Sequence, residues 1–233
     1  IPTVICDQPA DDHGVNFVGI DDVHAVRPAA QALVDAGHTR IGILCIRLDR
    51  HPNNGPVTAE RLAGAQMHVQ AGRVRGALDV LEEAGIARDA VPVIERHLNN
   101  PETTRDAATE LLETHPDLTA VICTTDSMAF GVLDYCDSMG IDVPGDLSVT
   151  GFDGIPRALD RGLSTVIQPN REKGFTTGNV LAALIRRRED QFRSPRAKAT
   201  AGAGDVGWAE PEKRIALPTE WNPGRTVRVP RGR

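Results

Sequence analysis

Short apolar runs bounded by turn residues alternate along this sequence with stretches of helical period. That alternation restricts the fold more than any other feature, because it is the pattern of an α/β chain with a parallel sheet. The predicted strands cover residues 3–6, 40–46, 91–95, 119–124, 147–152, 164–167 and 214–217. Most are apolar without a break, as strands are when helices cover both faces. Between them, Asp22 can cap a helix in which Val23, Val26, Ala30, Leu33 and Val34 repeat at three and four residues until Gly37. Residues 60–84 read as one long or broken helix, in phase at Val74, Leu78 and Leu81 and weakened by Gly64, Gly72 and Gly76. Asn100 and Pro101 open a helix to about Thr114. Asp126 precedes another with Met128, Val132, Leu133, Cys136 and Met139 on one face, and residues 170–187 carry Phe175, Leu181, Leu184 and Ile185.

Two stretches break the rhythm. Residues 47–59 form a polar connection, and residues 186–212 have almost nothing to bury, which predicts a mobile insertion. Gly202, Gly204 and Gly207 spell GxGxxG there, but neither a strand before it nor a helix after it is predicted, so a linker is the better reading than a dinucleotide site.

The 233 residues allow one large core or two small ones. With 26 Lys and Arg against 32 Asp and Glu, the formal charge is −6, and no global basic face is available to release counterions from nucleic acid. Aromatic residues, at 3%, are too few for a stacking surface, and Arg225, Arg228, Arg231 and Arg233 read as a solvated end. No run approaches 18 apolar residues, and residues 1–5 carry no export signal, so neither a membrane span nor a visible leader is expected. Cys6, Cys45, Cys123 and Cys136 lack zinc or CxxC spacing and read as thiols in a reducing cytoplasm.

GxSxG, HExxH and GxxxxGK[ST] are absent, and the seven histidines show no metal spacing. No catalytic residue, metal or cofactor is therefore predicted. Acid pairs such as Asp11/Asp12 and Asp21/Asp22 suit caps and turns better than acid/base dyads. Polar residues at strand ends say more, because ligands of open α/β sheets bind beyond the carboxyl ends of the strands. Thr125 and Asp126 end AVICTT, Asp153 ends LSVTGF, and Asp22 follows FVGI. Asp126 and Asp22 read more readily as helix caps than as ligands. Thr125 suits both roles, and Asp153, between Gly151 and Gly154, fits an Asx turn as well as a binding site.

Five strings in order, LVDAGHTRIGIL (33–44), RVRGALDVLEEAGI (73–86), TAVICTTDSMAFGVL (119–133), VPGDLSVTGFDGIP (143–156) and LSTVIQPNREKG (163–174), resemble the LacI/GalR family of transcriptional regulators. The resemblance covers about residues 1–186 and ALPTE at 216–220. It implies two similar parallel-sheet subdomains of periplasmic-binding-protein type I, with a small effector in the cleft between them. Residues 1–46 and 169–188 would be the N-terminal subdomain, incomplete in this chain. Residues 47–168 and 213–233 would be the C-terminal one, with 189–212 a flexible insertion. By the same resemblance Arg73, in RxxG, matches an effector-binding arginine, with Arg61 in RLAG as a rival alignment. Asp153 matches the effector-contacting acid of GFD, Thr125 the polar residue before the Asp of TD, Ile122 a cleft wall and Asp22 an acid near the first helix; Phe152, Phe17 or Trp221 could set a ring against the ligand.

A guanidinium and a carboxylate opposite one another suit a sugar's vicinal hydroxyls. The expected protein is then a ligand-responsive regulator, a repressor by this reading, that acts as a homodimer. It would reach operator DNA only through a helix-turn-helix headpiece not included in this chain. A sugar-transport binding protein, which would share the fold, and an α/β enzyme for a small polar substrate are the alternatives.

Overall fold

The computed structural model describes residues 1–8, 14–193 and 214–231. They fall into two units: the described residues of Ile1–Ile20 and Pro169–Leu217, and those of Asp21–Gln168 and Pro218–Arg233.

The larger unit is built on a seven-stranded sheet. Five parallel strands form its centre: β3 (Ile41–Ile46), β5 (Val93–Arg96), β6 (Ala120–Cys123), β7 (Ser148–Asp153) and β8 (Ser164–Ile167). Short antiparallel strands close the two edges, β4 (Gly55–Pro56) beside β5 and β10 (Glu220–Asn222) beside β8. The order across the sheet is β10-β8-β7-β6-β3-β5-β4. Alternation along each strand sends side chains to opposite faces. Leu44, Val121, Cys123 and Val149 pack with α5 (Pro101–Thr114) and α6 (Asp126–Met139) through Ala107, Leu111, Met128, Val132 and Cys136. On the opposite face Ile43 stands in register with Ile122, and Ile122 with Thr150, on the side where α2 (Arg27–Asp35) and α4 (His68–Glu83) pack.

Local chemistry sets the helix ends. The predicted helix from Asp22 is two helices, α1 (Asp22–Ala25) and α2, because Pro28 suits only the first turn of a helix and starts a new one. The segment 60–84 is broken into α3 (Ala59–Ala63) and α4 at Gly64. Asn100 caps α5 reciprocally with Thr103, and Pro101 sits in its first turn, as the sequence predicts. A further short helix, α7 (Pro156–Asp160), follows β7.

In the smaller unit β1 (Val4–Cys6), β2 (Asn16–Gly19) and β9 (Arg214–Ala216) form an all-parallel sheet in that order, with α8 (Asn170–Arg193) packed on β1 and β2. Lys173 of α8, almost fully buried, donates to both carboxylate oxygens of Asp7 at 3.1 and 2.8 Å.

Three expected boundaries are corrected. The division expected after residue 46 falls after Ile20, since Ile41–Ile46 hydrogen-bonds to both β5 and β6 at the middle of the large sheet. Residues 214–217, assigned with 213–233, belong to the smaller unit, because β9 pairs with β2. Residues 189–193, placed in the insertion, continue α8, consistent with the helix-forming residues of RRREDQ. The rest of that insertion, its GxGxxG string, Asp11/Asp12 and Arg233 lie outside the described residues.

Candidate functional site

Arg73 lies on the buried side of α4, with only 4% of its surface exposed. A buried guanidinium is stable only when its N–H groups are bonded. Its Nε donates to Asp22 Oδ1 at 2.8 Å. Its Nη1 donates to the Thr124 carbonyl at 2.7 Å and to Asp153 Oδ1 at 3.3 Å. The planar group lies over the Phe152 ring, 3.7 Å from its centroid, and that ring is itself fully buried. Cation–π attraction and these charge-assisted bonds fix the guanidinium plane.

The spacing RxxG has a packing cause. A Cβ on Gly76 would stand 2.1 Å from the Val23 carbonyl oxygen, and one on Gly72 would be 3.1 Å from Asp22 Cβ. The glycines let α4 approach α1, and that approach brings Arg73 to Asp22. The neighbouring Asp21 accepts the amide of His24 and is the actual cap of α1, which corrects the expected capping by Asp22.

Asp153 is the last residue of β7, with φ at 125°, a region that residues bearing a Cβ rarely occupy. Its Oδ1 also accepts from Gln168 Nε2 at 2.6 Å. Sequence reasoning did not single out Gln168; its place directly after β8 was the available signal. Behind this turn lies Asp126, fully buried, whose Oδ2 accepts the Ile155 amide at 2.9 Å and whose Oδ1 accepts from the Thr165 hydroxyl at 2.6 Å. Burial dominates and pushes its carboxyl up to about 6, against the hydrogen bonds that favour the charge, while nearby Asp153 adds to the rise.

Thr125, not Asp126, caps α6, accepting the Met128 amide at 3.2 Å. Thr124, next to it, donates to Gln70 Oε1 at 2.6 Å. Ile122 is fully buried in the middle of β6 and is not brought to the surface of this group. The rival Arg61 is engaged elsewhere: its Nε and Nη2 grip Glu95 at 2.5 and 2.9 Å, and Nη2 also donates to the His51 carbonyl. The structure thus gathers Arg73, Asp22, Asp153 and Phe152 around the carboxyl ends of β6 and β7, with Thr125 at the adjoining helix start. Among the described residues no group of three or more His, Cys, Asp or Glu could hold a metal ion.

One guanidinium held between two carboxylates on an aromatic floor can offer donors and acceptors together to a polar ligand. A chain that runs repeatedly between two parallel α/β units, with such a group at the strand ends, has the organisation of a solute-binding fold rather than of a closed barrel. Comparison with known proteins gives the family. The chain belongs to the periplasmic binding protein-like domain family, matched over residues 30–202, in the form found in LacI-family regulators. The HTH-type transcriptional regulator IpsA of Corynebacterium glutamicum is 50% identical over 227 residues, covering 97% of this chain and 58% of that protein. A crystal structure of a LacI-family transcriptional regulator from Corynebacterium glutamicum, 50% identical, superposes with a TM-score of 0.83 over 97% of this chain and 61% of that one. A LacI-family regulator from Enterococcus faecium with bound ribose, 20% identical, shares the fold with a TM-score of 0.70, covering 98% and 71%. The chain therefore spans little more than half the length of this curated relative, a transcriptional regulator.

Proposed function

We propose that this chain is the effector-binding core of a ligand-responsive transcriptional repressor. A small polar ligand of the sugar type binds at the carboxyl ends of β6 and β7. The observation that carries this reading is the buried Arg73, bonded to Asp22, the Thr124 carbonyl and Asp153 over the Phe152 ring. A ligand hydroxyl both donates and accepts, so it can bridge a guanidinium and a carboxylate with bonds of about 1.5–3 kcal/mol each. The ribose-bound regulator that shares the fold supports the class of ligand.

In this reading the ligand favours one of two conformations, with a coupling of about 1–3 kcal/mol to operator affinity. DNA contact falls to a helix-turn-helix such as gives the relative IpsA its name, because the chain's formal charge of −6 offers no global basic face. A homodimer presents two such elements to two half-sites.

The test is calorimetric and thermal titration of the full chain with pentoses, hexoses and disaccharides. An accepted sugar raises the melting temperature, equivalent to about 2.7 kcal/mol at a hundred times Kd. Asp153→Asn and Arg73→Lys lose that rise, and Asp153→Asn keeps its ligand-free melting temperature within a few degrees. Full ligand response in both variants would sink this site.

A further inference from the structure

Asp126 stands in the first turn of α6, yet its carboxylate does nothing for its own helix, which Thr125 caps. Fully buried, it turns instead toward the end of β7. Its Oδ2 accepts the Ile155 amide at 2.9 Å, and the Gly154 amide is a second backbone donor to the same carboxylate. Its Oδ1 accepts from the Thr165 hydroxyl of β8 at 2.6 Å. Successive amides converging on one anion form a nest, and the residues that make it leave ordinary strand geometry. Here they are Asp153, at φ 125°, and Gly154, at φ 66°. A residue with a Cβ keeps such an angle only where its surroundings over-determine it. The neighbouring strands are shaped to do so. A Cβ on Gly151 of β7 would stand 2.5 Å from Asp126 Oδ1, and one on Gly154 would stand 2.6 Å from the Ile167 Cα of β8. The turn is held between Asp126 and β8, and in that conformation the Asp153 side chain meets Arg73 and Gln168.

Resting on the sugar-sensor reading above, we propose that Asp126 is a positioning residue of that site: its ionised carboxylate holds the Asp153–Ile155 turn and so sets the direction of the Asp153 side chain. Buried as it is, Asp126 meets no ligand itself and acts through the turn. An ionised acceptor binds amides more strongly than a neutral one, so the turn loosens when the carboxyl takes up a proton. Ligand affinity then follows the charge of Asp126. The titratable groups that face it are Asp153, across the turn and of like charge, and the Cys123 thiol of β6, which burial holds protonated. From β8 it meets the uncharged Thr165 hydroxyl. Burial, with a smaller part from Asp153, raises the Asp126 carboxyl to about 6, and the Thr165 bond opposes the rise.

The experiment measures the affinity of D-ribose, D-glucose and cellobiose by calorimetry from pH 5 to 8. It uses the full chain in its native sequence and as Asp126→Asn and Thr165→Val, with ligand-free melting temperatures recorded alongside. For a sugar that the native chain binds, affinity should fall about three- to tenfold as pH drops through about 6, the weakening expected when a charge-assisted bond becomes a neutral one. Asp126→Asn should bind at pH 7.5 about as weakly as the native chain does at pH 5, with no step near pH 6. Thr165→Val removes a bond that favours the charge, so its step should move to higher pH. A residue that only supports the fold would change the melting temperature and leave the step in place. A native affinity that is flat across pH 6, a step that persists in Asp126→Asn, or one that does not move in Thr165→Val overturns the proposal and leaves the sensor reading standing. If Asp126→Asn does not fold, the native profile and Thr165→Val decide. No binding of any of the three sugars by the native chain overturns the sugar-sensor reading and the inference with it.

Discussion

Adjacent residues of one type do unlike work here, and the division follows from direction. Asp21 turns back to the His24 amide, whereas Asp22 reaches across to Arg73, 51 positions later. A sequence shows that two acids precede a helix; it does not show which of them faces another helix. The same holds for Gly76. Its spacing from Arg73 is visible in the sequence, while its cause, the Val23 carbonyl, is not. Gly76→Ala should cost about 1–3 kcal/mol through overpacking, read as a lower denaturation midpoint, and should weaken ligand response by moving Asp22 away. Asp126 gives a pH signature. Its folded-state carboxyl is raised from 3.8 to about 6, so its contribution to stability is full below about pH 4 and is lost as pH rises through 6. Asp126→Asn cannot titrate. The difference between native and variant urea midpoints, measured from pH 4 to 7, should therefore change across this window and be flat above it.

At the scale of elements, periodicity located the main helices and the central strands of the larger sheet, because burial on one or both faces leaves a repeating apolar signature. It did not locate β2, β4 or β10. The last two are two- and three-residue edge strands whose existence depends on a neighbour supplying hydrogen bonds. The polar connection 47–59 takes its order from Glu95, fully buried in β5, which accepts from Arg61, from the Leu48 amide and from Asn53. Burial alone would raise the Glu95 carboxyl, but the Arg61 guanidinium and the two other donors hold it below its ordinary value. Arg61→Ala leaves that carboxylate buried without its cation. A loss of about 3–5 kcal/mol is expected by chemical denaturation, with the Arg73 group itself untouched.

At the scale of the whole molecule, the chain passes between its units after residues 20, 168 and 217. The returning segment is fastened within the larger unit by His38. The His38 ring meets Thr119 at 2.8 Å through Nδ1, and Ser148 at 3.0 Å and the Arg228 carbonyl at 2.9 Å through Nε2. Burial lowers the His38 pKa, opposed by the bond to the Arg228 carbonyl, so the folded state prefers the neutral ring. The unfolded chain takes up a proton first as pH falls through 6.5. The stability His38 contributes is thus present above that pH and declines below it. His38→Ala should expose residues 218–231 to proteolysis and remove this part of the acid sensitivity, measured by limited digestion and by melts at pH 5 and 7.

By itself the sequence determined the layered α/β class, the helix at Asn100 with its Pro101 start, and the strand-end residues from which the site is built. These depend on residues a few positions apart, and short-range periodicity and capping chemistry are written locally. Only the tertiary structure decided that Asp22 and not Asp21 meets Arg73, that Arg61 belongs to Glu95, and that the larger unit begins at Asp21. The two pairings join residues 51 and 34 positions apart, and hydrogen-bond geometry between such residues exists only once the sheet and helices have fixed the distance.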